Sequence, residues 1–467
     1  MNKGFRNLGE IMSSNEILRE VEYSSLAKSR VHNFKIKGSD SIKLIVPPTV
    51  YPPRRDTELL LQGLNSIKLQ AGNLVEIGCG SGAISIAMAL SGWNVTAFDV
   101  NPLAVVATIG NSEVAGVEDY VTVKEGGVGE ENWKLPKDVD LVVWNLPYLV
   151  PNLENMLGPM EEAAMTDEAN LGWSEKLLHV ANDESEKDTL FVLLMNSDSN
   201  PKNSSLSWIK NGWSRRTLAI ERVGDDTLEV VAFWRPGFGS ESEYIEVTNS
   251  TMDEARKLPK FGWQRIRSGE QINGRGRRGA NWHSKQGDMI ASWSVGLDEI
   301  NRWTPGLLQV SIGASISEAL GIQLKWPNDL IFQQQKCGGI LLESSTSEER
   351  IRIGVGLNKG AREIEGVSYA GWEDYYGDIN ADDMFQIIDA SISSILDSSP
   401  PIENSSEILW QQKSWIKLSE ILSRGVITQY DEQTVNVVGL SHTGELNAIS
   451  VTSKHEIQDV GDFFIAF

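Results

Sequence analysis

The part of the sequence best equipped for chemistry is residues 271–284, which read QINGRGRRGANWHS. Three glycines in this stretch allow positive φ angles and let the backbone approach a ligand closely. Arg275, Arg277 and Arg278 supply forked cationic donors that suit carboxylate and phosphate oxygens. The stretch is therefore predicted to bring two anions together. A solvated Arg-Gly tail for nucleic acid is the alternative, but such tails are repetitive, whereas this stretch occurs once between apolar segments.

A second chemical pattern is the glycine-rich stretch EIGCGSG, residues 76–82. It follows a predicted apolar strand and opens a helix predicted over residues 83–90. Asp99 ends the next predicted strand, 17 residues after Gly82. Glycines let a cofactor approach the backbone and a helix N-terminus, and an acid at the next strand tip accepts ribose hydroxyls. The pattern indicates a nucleotide-binding unit, and its glycine spacing alone fits either a dinucleotide or S-adenosylmethionine.

A third pattern, NLPY at residues 145–148, follows the strand predicted over residues 139–144. In a doubly wound sheet this strand lies beside the glycine-motif strand, so NLPY falls in the cofactor crevice. The Asn145 amide and a peptide carbonyl held by Pro147 can accept hydrogen bonds from a planar NH2 group, and Tyr148 can cover its face. The arrangement suits methylation of an amide or exocyclic amino nitrogen. The same four residues also fit an ordinary turn at the end of a strand.

The composition is that of an ordinary globular protein whose 467 residues imply two or three domains. A net charge of -22 argues against attraction to a phosphate backbone, so no DNA partner is expected. The two cysteines, Cys79 and Cys337, are far apart, which predicts neither a disulfide framework nor a metal site. No long apolar run or secretion-signal pattern occurs, so the protein is expected to be cytoplasmic, without a membrane partner.

The segment PGFGSESE, residues 236–243, is polar and lacks apolar periodicity, which indicates a linker. We predict a first domain over residues 1–237 with an extension over 1–45, a linker over 238–243, a catalytic domain over 244–400 and a C-terminal region over 401–467. Before the glycine motif, residues 34–46 are predicted to form a hairpin around residues 38–40. A helix capped by Asp56 or Thr57 should follow.

After the linker, a strand and a short helix are predicted, with Ser250 and Thr251 at the helix start as ordinary caps. Further strands are expected over residues 263–268 and 288–297, and helices over 307–320, 381–396 and 406–422. KWPNDL, residues 325–330, is predicted to be a strand, turn and strand. Lys325 ends an apolar run, where it is either a snorkelling edge residue or a phosphate and carboxylate ligand. Short alternating strands over residues 424–467 suggest a small β-barrel.

The glycine motif after Glu76, taken with VYPPRRDT and NLPY, resembles the release-factor glutamine methyltransferases of the HemK type over about residues 46–236. The resemblance implies a Rossmann-like class I methyltransferase domain and methylation of protein glutamine. Its expected partners are a translation release factor and a small zinc-binding activator. Leu146 replaces the first proline of the family's Asn-Pro-Pro-Tyr, and the usual acid ending the third strand is missing, with Glu125 as a substitute. A catalytically inactive scaffold and adenine methylation remain alternatives.

This resemblance also implies the residues of the site. Those expected to bind S-adenosylmethionine are Glu76, Gly78, Gly80, Gly82 and Asp99. Those expected to bind the methyl acceptor are Asn145, Pro147 and Tyr148.

In the second half, STMDEA, GRGRRGANWHS, KWPNDL, KCGGILLE and IGVGLN occur in the order and spacing of biotin protein ligases, which the chain resembles over about 110 residues. The resemblance implies a class II synthetase-like fold, with an antiparallel sheet flanked by helices and a C-terminal β-barrel. It also implies that the chain activates biotin with ATP to biotinyl-5′-AMP and then transfers biotin to a lysine of a biotin carboxyl carrier protein. The DNA-binding domain of some of these ligases is absent from the pattern, so no repressor role is expected.

The catalytic residues implied by this second resemblance are Lys325, Arg277 and Arg275. They would bring the biotin carboxylate and the ATP α-phosphate together, with Mg2+ neutralising the other phosphates. Trp282 is expected to cover the adenine or to anchor the closed loop. The residues expected to bind biotin and the adenylate are Ser250, Thr251, Met252, Gln271, Arg275, Gly276, Arg277, Trp282 and Lys325.

Overall fold

The computed structural model describes residues 28–36, 41–147, 172–197, 204–224, 226–297, 302–345, 349–424, 427–458 and 463–466. The chain divides into two compact units. The first comprises residues 1–207 and 217–234, and the second comprises residues 208–216 and 235–467. The units thus change over three residues before the predicted boundary at residue 237, and the short segment 208–216 is part of the second unit.

The first half of the chain alternates strands with helices. Its described elements are β1 (Arg30–Phe34), β2 (Ile42–Val46), α1 (Arg55–Leu64), β3 (Asn73–Ile77), α2 (Ala83–Leu90), β4 (Asn94–Asp99), α3 (Pro102–Ala115), β5 (Val121–Glu125), β6 (Leu141–Asn145), α4 (Trp173–Glu184), β7 (Leu190–Asn196), α5 (Ser205–Lys210), β8 (Ser214–Val223) and β9 (Asp226–Trp234). The strands β1 and β2 pair antiparallel, and the predicted turn around residues 38–40 lies outside the described residues.

The start of α1 corrects one expectation. Arg54 is its N-cap, so neither Asp56 nor Thr57 caps the helix. Thr57 instead stands at the third helical position, where its hydroxyl accepts a hydrogen bond from the Arg54 backbone N–H at 3.3 Å. The helix therefore begins earlier than predicted, which leaves the Asp56 carboxylate for another partner.

Seven strands form one sheet in the order β5-β4-β3-β6-β7-β9-β8. The first five run parallel, and β9 is antiparallel to β7. The strands β3, β6 and β7 are nearly continuous apolar runs because both faces of a parallel sheet are covered. The strand order reverses between β3 and β6, so the carboxyl ends of these two strands open the crevice at which doubly wound sheets bind ligands.

The second half contains a larger number of short strands. Its described elements are β10 (Glu243–Thr248), α6 (Thr251–Glu254), β11 (Gln264–Gln271), β12 (Gly274–Arg275), β13 (Asn281–Trp282), β14 (Met289–Gly296), α7 (Pro305–Leu320), β15 (Gln323–Lys325), β16 (Asp329–Phe332), β17 (Gln335–Ser345), β18 (Arg350–Leu357), β19 (Arg362–Ile364), β20 (Val367–Tyr369), α8 (Ala381–Leu396), α9 (Glu407–Leu422), β21 (Ile427–Tyr430), β22 (Gln433–Thr434), β23 (Asn436–Leu440), β24 (Leu446–Ile449), β25 (Lys454–Ile457) and β26 (Phe463–Ala466).

The main sheet of this unit has the order β10-β11-β14-β18-β17-β16-β15, with β20 pairing β17 and β19 pairing β20. Its pairs are antiparallel except for the parallel pairs β10–β11 and β17–β20. Helix α7 packs closely on it because its sequence is rich in small residues. A Cβ on Gly313 would lie 2.6 Å from Leu324 Cδ1, so only glycine fits there. Helix α8 stacks Phe385 on Trp293 of β14 with ring centroids 5.7 Å apart. Both helices therefore pack against the main sheet and form part of the core of this unit.

A buried polar cluster fixes α8 to the sheet. The Asp389 carboxylate on α8 accepts hydrogen bonds from the indole N–H groups of Trp263 and Trp293, both at 2.8 Å. It also pairs with the Arg265 guanidinium at 3.0 Å. Burial raises the pKa of Asp389, and the positive charge of Arg265 opposes that rise. Because buried charges are costly unless paired, this cluster depends on each of its members.

The C-terminal region contains two three-stranded sheets, β22-β21-β26 and β23-β24-β25, where the sequence predicts a small β-barrel of short strands. Helix α9 precedes them, and its N-cap Ser406 accepts a hydrogen bond from the Ile408 backbone N–H at 3.2 Å. Within the described residues, no helix combines the length and apolar character needed to cross a membrane.

Candidate active sites

Residues 271–284 fold into a small hairpin over the sheet of the second unit. Strands β12 and β13 pair Gly274 with Trp282, and a turn forms the tip between them. The base is closed by Ser284, whose hydroxyl donates to the Gln271 carbonyl at 2.9 Å and accepts from the Gln271 N–H at 3.0 Å. A Cβ on Gly274 would lie 2.5 Å from the Trp282 carbonyl oxygen, so the strands need glycine there to pair.

A cavity of about 350 Å³ lies between this hairpin and the sheet. It brings together every residue that the sequence assigns to biotin and adenylate binding. These lining residues are Ser250, Thr251, Met252, Gln271, Arg275, Gly276, Arg277, Trp282 and Lys325. Four further charged or aromatic lining residues were not assigned to ligand binding from the sequence, namely Arg278, Trp326, Asp329 and Lys336. Lys336 comes shortly before two glycines, and Lys325 comes shortly before a proline turn. Neither local pattern predicts that the two lysines line one cavity, because the pairing of the strands brings them together.

One end of the cavity is lined by a chain of hydrogen bonds. The Gln271 side-chain carbonyl accepts from the Thr251 N–H at 2.7 Å and from the Thr251 hydroxyl at 3.0 Å. The Ser292 hydroxyl donates to the Thr251 hydroxyl at 2.8 Å. Ser250 is the N-cap of α6 but makes no side-chain cap bond, and its buried hydroxyl has no partner among the described residues. This end therefore offers a hydroxyl and an oriented amide N–H to a polar ligand.

The three predicted catalytic cations differ in their surroundings. Lys325 ends β15 and lies opposite Asp329 in the sheet register. Arg277 lies at the start of the hairpin tip. The Arg275 guanidinium pairs with Asp253 at 2.9 Å and with Glu343 at 3.3 Å, and the hydrogen bond to Asp253 raises its pKa. The arginine thus ties the hairpin to α6 and β17 while lining the cavity.

The turn after Lys325 supports neighbouring strands. The Asn328 side-chain N–H donates to the Ile340 carbonyl at 2.8 Å, and Asp329 pairs with Lys336 at 2.6 Å. These two contacts connect the turn to β17 and hold Lys336 at the cavity.

The Trp282 indole rests on a floor of two glycines. A Cβ on Gly356 would lie 2.6 Å from Cε2 and Cζ2 of this indole, and a Cβ on Gly339 would lie 3.7 Å from its Cζ3. The indole N–H is buried and has no acceptor within the described part of the chain. Trp282 therefore packs against the sheet, and its two expected roles, covering the adenine or anchoring the closed loop, stay predictions.

The first unit has a cavity of about 160 Å³ in the crevice beside β3 and β6. Its lining includes most of the residues predicted for S-adenosylmethionine and the methyl acceptor. These are Glu76, Gly78, Gly80, Asp99, Asn145 and Pro147. Gly82 does not line the cavity, and a Cβ there would lie 2.9 Å from Thr108 Cγ2, so this glycine serves helix packing. Tyr148 lies outside the described residues.

Two buried acids flank the glycine turn. Asp99 accepts hydrogen bonds from the backbone N–H groups of Gly80 and Asn101, both at 2.8 Å. Burial raises the pKa of Asp99, and these two bonds limit the rise. Glu76 accepts a hydrogen bond from the Ser85 hydroxyl, and burial raises its pKa to about 8. Much of Glu76 is therefore protonated at neutral pH when no positive charge faces it.

Asn145 is held in one orientation by Asp56. Its side-chain N–H donates to the Asp56 carboxylate at 2.9 Å. A carboxylate only accepts hydrogen bonds when ionised, so the amide nitrogen must face Asp56 and the amide oxygen must face away. That oxygen is buried and has no donor among the described residues. Asp56 is a functional candidate that the sequence analysis considered only as a helix cap.

The expected substitute for the third-strand acid does not reach the cavity. Glu125 ends β5 but is exposed to solvent and is not part of the cavity lining. Gly126, Gly127 and Val128 line the wall at this position. Trp173, at the start of α4, lines the same cavity.

Comparison with known families identifies both halves. Residues 244–358 match the model of the biotin/lipoate A/B protein ligase family, and residues 55–174 match the model of the ribosomal protein L11 methyltransferase (PrmA). The chain joins a methyltransferase domain to a biotin ligase domain. The order of the two domains and their fold classes are as predicted.

Individual relatives match parts of these domains. The chain is 34% identical over 128 residues to the bifunctional ligase/repressor BirA of Bacillus subtilis, covering 25% of this chain and 39% of that protein. It is 31% identical over 123 residues to the biotin--[acetyl-CoA-carboxylase] ligase of Paracoccus denitrificans, covering 24% and 51%. It is 37% identical over 103 residues to a release factor glutamine methyltransferase of Fusobacterium nucleatum, covering 21% and 28%. The chain thus spans about half or less of each of these relatives.

Solved structures align with each domain. The biotin protein ligase from Aquifex aeolicus in complex with biotin and ATP has 25% sequence identity and a TM-score of 0.41, and the match covers 49% of this chain and 99% of that chain. The E. cuniculi Mtq2–Trm112 complex, responsible for methylation of the termination factor eRF1, has 18% identity and a TM-score of 0.30, with 40% of this chain and 99% of that chain covered.

Proposed function

We propose that the second domain is an ATP-dependent biotin protein ligase that forms biotinyl-5′-AMP and transfers biotin to a lysine of a biotin carboxyl carrier protein. The observation that carries this proposal is the single cavity in which the hairpin and the sheet bring the whole predicted ligand set together. The cavity lining contains both hydrogen-bonding groups and cations. Biotin has a polar ureido head and a terminal carboxylate, so its chemistry matches these two kinds of group.

Activation requires two anions to meet. In the proposed mechanism, the Ser250 hydroxyl and the Gln271 amide N–H bind the ureido oxygen of biotin. Lys325 and Arg277 bind the carboxylate and the α-phosphate and hold them within reach of each other. A carboxylate oxygen attacks the α-phosphorus, the acyl phosphate bond forms, and pyrophosphate leaves. Fixed cations stabilise the negative charge that accumulates during this step.

The hairpin also protects the product. An acyl adenylate hydrolyses in water, so its lifetime depends on a cover that excludes solvent. Trp282 seats the hairpin on the glycine floor, and Arg275 ties it to Asp253 and Glu343. We assign Arg275 to this closure in addition to its place in the cavity lining. The carrier lysine amine then attacks the acyl carbon, and AMP leaves as biotin is transferred.

The chain supplies little toward a magnesium cage. No group of three His, Cys, Asp or Glu side chains is placed to hold a metal ion in the described ranges. Asp329, an acid in the cavity lining, is paired with Lys336. Mg2+ binds readily through substrate phosphates with few protein ligands, so it would enter as the Mg2+ complex of ATP.

The test of the ligase is biotin-dependent exchange of pyrophosphate into ATP by the intact chain. Lys325→Ala should lose this exchange, because one of the two principal cations at the reacting anions is removed. Lys257→Ala is the matched control, since that lysine is 71% exposed and pairs with Glu254 on the protein surface. Exchange that Lys325→Ala leaves unchanged would refute the assignment.

We propose that the first domain is an S-adenosylmethionine-dependent N-methyltransferase that acts on a protein glutamine, with a translation release factor as its substrate. Asn145 carries this proposal, because its amide N–H donates to Asp56 and its buried amide oxygen has no donor among the described residues. An amide oxygen in that position accepts an N–H of the substrate carboxamide. The carbonyl of Leu146 is placed next in the chain to accept the second N–H. Both bonds hold the acceptor nitrogen and exclude other orientations.

The residues present fit S-adenosylmethionine. Each Asp99 oxygen uses one lone-pair direction for a backbone N–H and keeps another for a ribose hydroxyl. Gly80 adopts a φ of +55°, and a Cβ there would project toward the Tyr51 carbonyl at 3.7 Å. Glu76 places a second carboxyl in the lining, where it favours a cation. When bound, the cofactor supplies the methyl group.

Equilibrium binding of S-adenosylmethionine tests the cofactor assignment. Asp99→Ala should weaken binding, because the ribose contact is lost. Asp140→Ala is the control, since that aspartate also accepts a backbone N–H, from Asn73 at 2.7 Å, but at the opposite end of β3 and β6. Binding that is absent, or equal in both variants, would refute this half of the proposal.

A small zinc-binding activator is the partner that the methyltransferase resemblance implies, and α3 offers it a surface. Leu103, Val106, Ile109 and Val114 of this helix are exposed, with Val106 at 65% and Val114 at 67%. Strand β5 lies beside α3 and forms the edge of the sheet. We propose that the activator covers this apolar face. Val106→Asp should abolish co-purification with a co-expressed activator of this class, and retained co-purification would exclude this surface.

A further inference from the structure

The cavity of the methyltransferase domain has a wall without the expected acid. Glu125 is exposed, and the backbone of Gly126 and Gly127 forms the wall instead. A Cβ on Gly127 would lie 3.2 Å from Val100 Cγ1, so the wall is closely packed behind the glycine. The third-strand acid, where present, would accept a hydrogen bond from a cofactor amino group. Recognition at this wall must therefore use another group.

Trp173 lines the same cavity as Gly126 and Gly127 and carries a polar N–H group. Its indole N–H is buried and finds no acceptor in the described parts of the chain. The ring is fixed by Trp144 at 6.1 Å in an edge-on contact and by the Lys176 ammonium 4.5 Å above it. A Cβ on Gly129 would lie 3.0 Å from the ring, which shows how tightly the ring is held. Buried N–H groups are usually paired in native proteins. Unlike Trp133, Trp173 also lines the cavity, and the two observations together favour an acceptor on a ligand bound there.

We propose that Trp173 recognises the adenine of the bound cofactor by donating its indole N–H to a ring nitrogen. The inference rests on the proposed binding of S-adenosylmethionine. An indole nitrogen is a donor only, and the N1, N3 and N7 atoms of adenine are acceptors only. A carboxylate at the same wall would instead read the 6-amino group. The substitution of a donor for an acceptor therefore moves recognition from the amino group to a ring nitrogen.

The experiment measures binding of S-adenosylhomocysteine and of its 1-deaza, 3-deaza and 7-deaza forms to the intact chain. Trp173→Phe keeps an aromatic ring but removes the donor, so it should bind the parent compound about fivefold more weakly, the equivalent of one neutral hydrogen bond. For the deaza form that lacks the accepting nitrogen, the unsubstituted chain should lose the same factor and Trp173→Phe should lose nothing further. This thermodynamic cycle separates the hydrogen bond from the change in ring size.

Trp133→Phe is the matched control. The Trp133 N–H is also buried without an acceptor among the described residues, and its ring packs edge-on against Phe98 at 5.6 Å. It does not line the cavity, so its substitution should leave all four affinities unchanged. Equal binding by Trp173→Phe and the unsubstituted chain, or a loss that is the same for every deaza form, would overturn the role of Trp173. Failure of the unsubstituted chain to bind the parent compound would overturn the cofactor assignment itself, and this inference with it.

Discussion

The packing of Trp282 against the sheet of the second unit allows a direct test of whether the hairpin closes over the cavity. Gly356 lies on β18, and a Cβ there would be 2.6 Å from two carbons of the indole and 2.8 Å from its nitrogen. Real Cβ contacts do not become this short, so Gly356→Ala must push the indole away. The backbone of Gly356 is not among the positive-φ positions, so the effect is steric and not conformational.

The size of the effect follows from the cost of overpacking. An extra methyl group in a well-packed site costs about 1–3 kcal/mol. The hairpin can relieve this strain by lifting, so the cost falls on the closed state and not on the fold. Each 1.36 kcal/mol is tenfold in an equilibrium constant, which gives about fivefold to about 150-fold less of the closed state. The melting temperature of the protein should change little.

The assay follows biotinyl-5′-AMP after a single turnover without carrier. Gly356→Ala should release the adenylate into solution faster by the factor above, and it should biotinylate less carrier per ATP consumed. Gly339→Ala is the matched control, because its Cβ would meet the same indole at 3.7 Å, an ordinary contact. Two results would refute the role of Trp282 packing in holding the hairpin closed. One is that Gly356→Ala retains the adenylate as well as the unsubstituted chain does, and the other is that Gly339→Ala loses it equally fast.

Three other substitutions test separate parts of the account. Burial raises the pKa of Glu76 to about 8, and a cationic ligand favours the ionised form. Calorimetry should therefore show that the affinity of the unsubstituted chain for S-adenosylmethionine, divided by that of Glu76→Gln, rises about tenfold between pH 7 and pH 9. A ratio that does not change with pH would contradict this. Asp56→Leu should abolish glutamine methylation, measured by mass spectrometry, yet keep cofactor binding, because only the Asn145 orientation is lost. Asp389→Ala should lower the free energy of unfolding in urea by about 3–5 kcal/mol, since Arg265 is left buried and unpaired, and a loss below about 1 kcal/mol would exclude that role.

Local sequence patterns located several residues of both sites. Asp99 ends β4 and Lys325 ends β15 because each follows an apolar run that a turn interrupts, and such signals act over a few neighbours. The contacts that orient these sites join distant parts of the chain. Asp56 reaches Asn145 across 89 positions, and Arg275 reaches Glu343 across 68 positions. No local sequence pattern predicts which distant residues will be in contact. These contacts are known only once the pairing of the strands in each sheet is known.

The solvent exposure of Glu125 could not be predicted from the sequence either. Glu125 is in register with Asp99 on neighbouring strands, which made it a reasonable substitute acid. Glu125 lies on the edge strand and is exposed to solvent, whereas Trp173, much later in the sequence, lines the cavity. Segment 208–216 belongs to the second unit, although it comes before the predicted boundary in the sequence. Tertiary packing decides both outcomes.

Biotin-dependent exchange of labelled pyrophosphate into ATP tests the central proposal most directly, because it reports adenylate formation without any carrier protein. The intact chain should catalyse exchange that requires biotin, Lys325→Ala should lose it, and Lys257→Ala should retain it. Absence of exchange in the folded chain, or exchange that survives Lys325→Ala, would contradict the assignment of the second domain as a biotin protein ligase acting through this cavity.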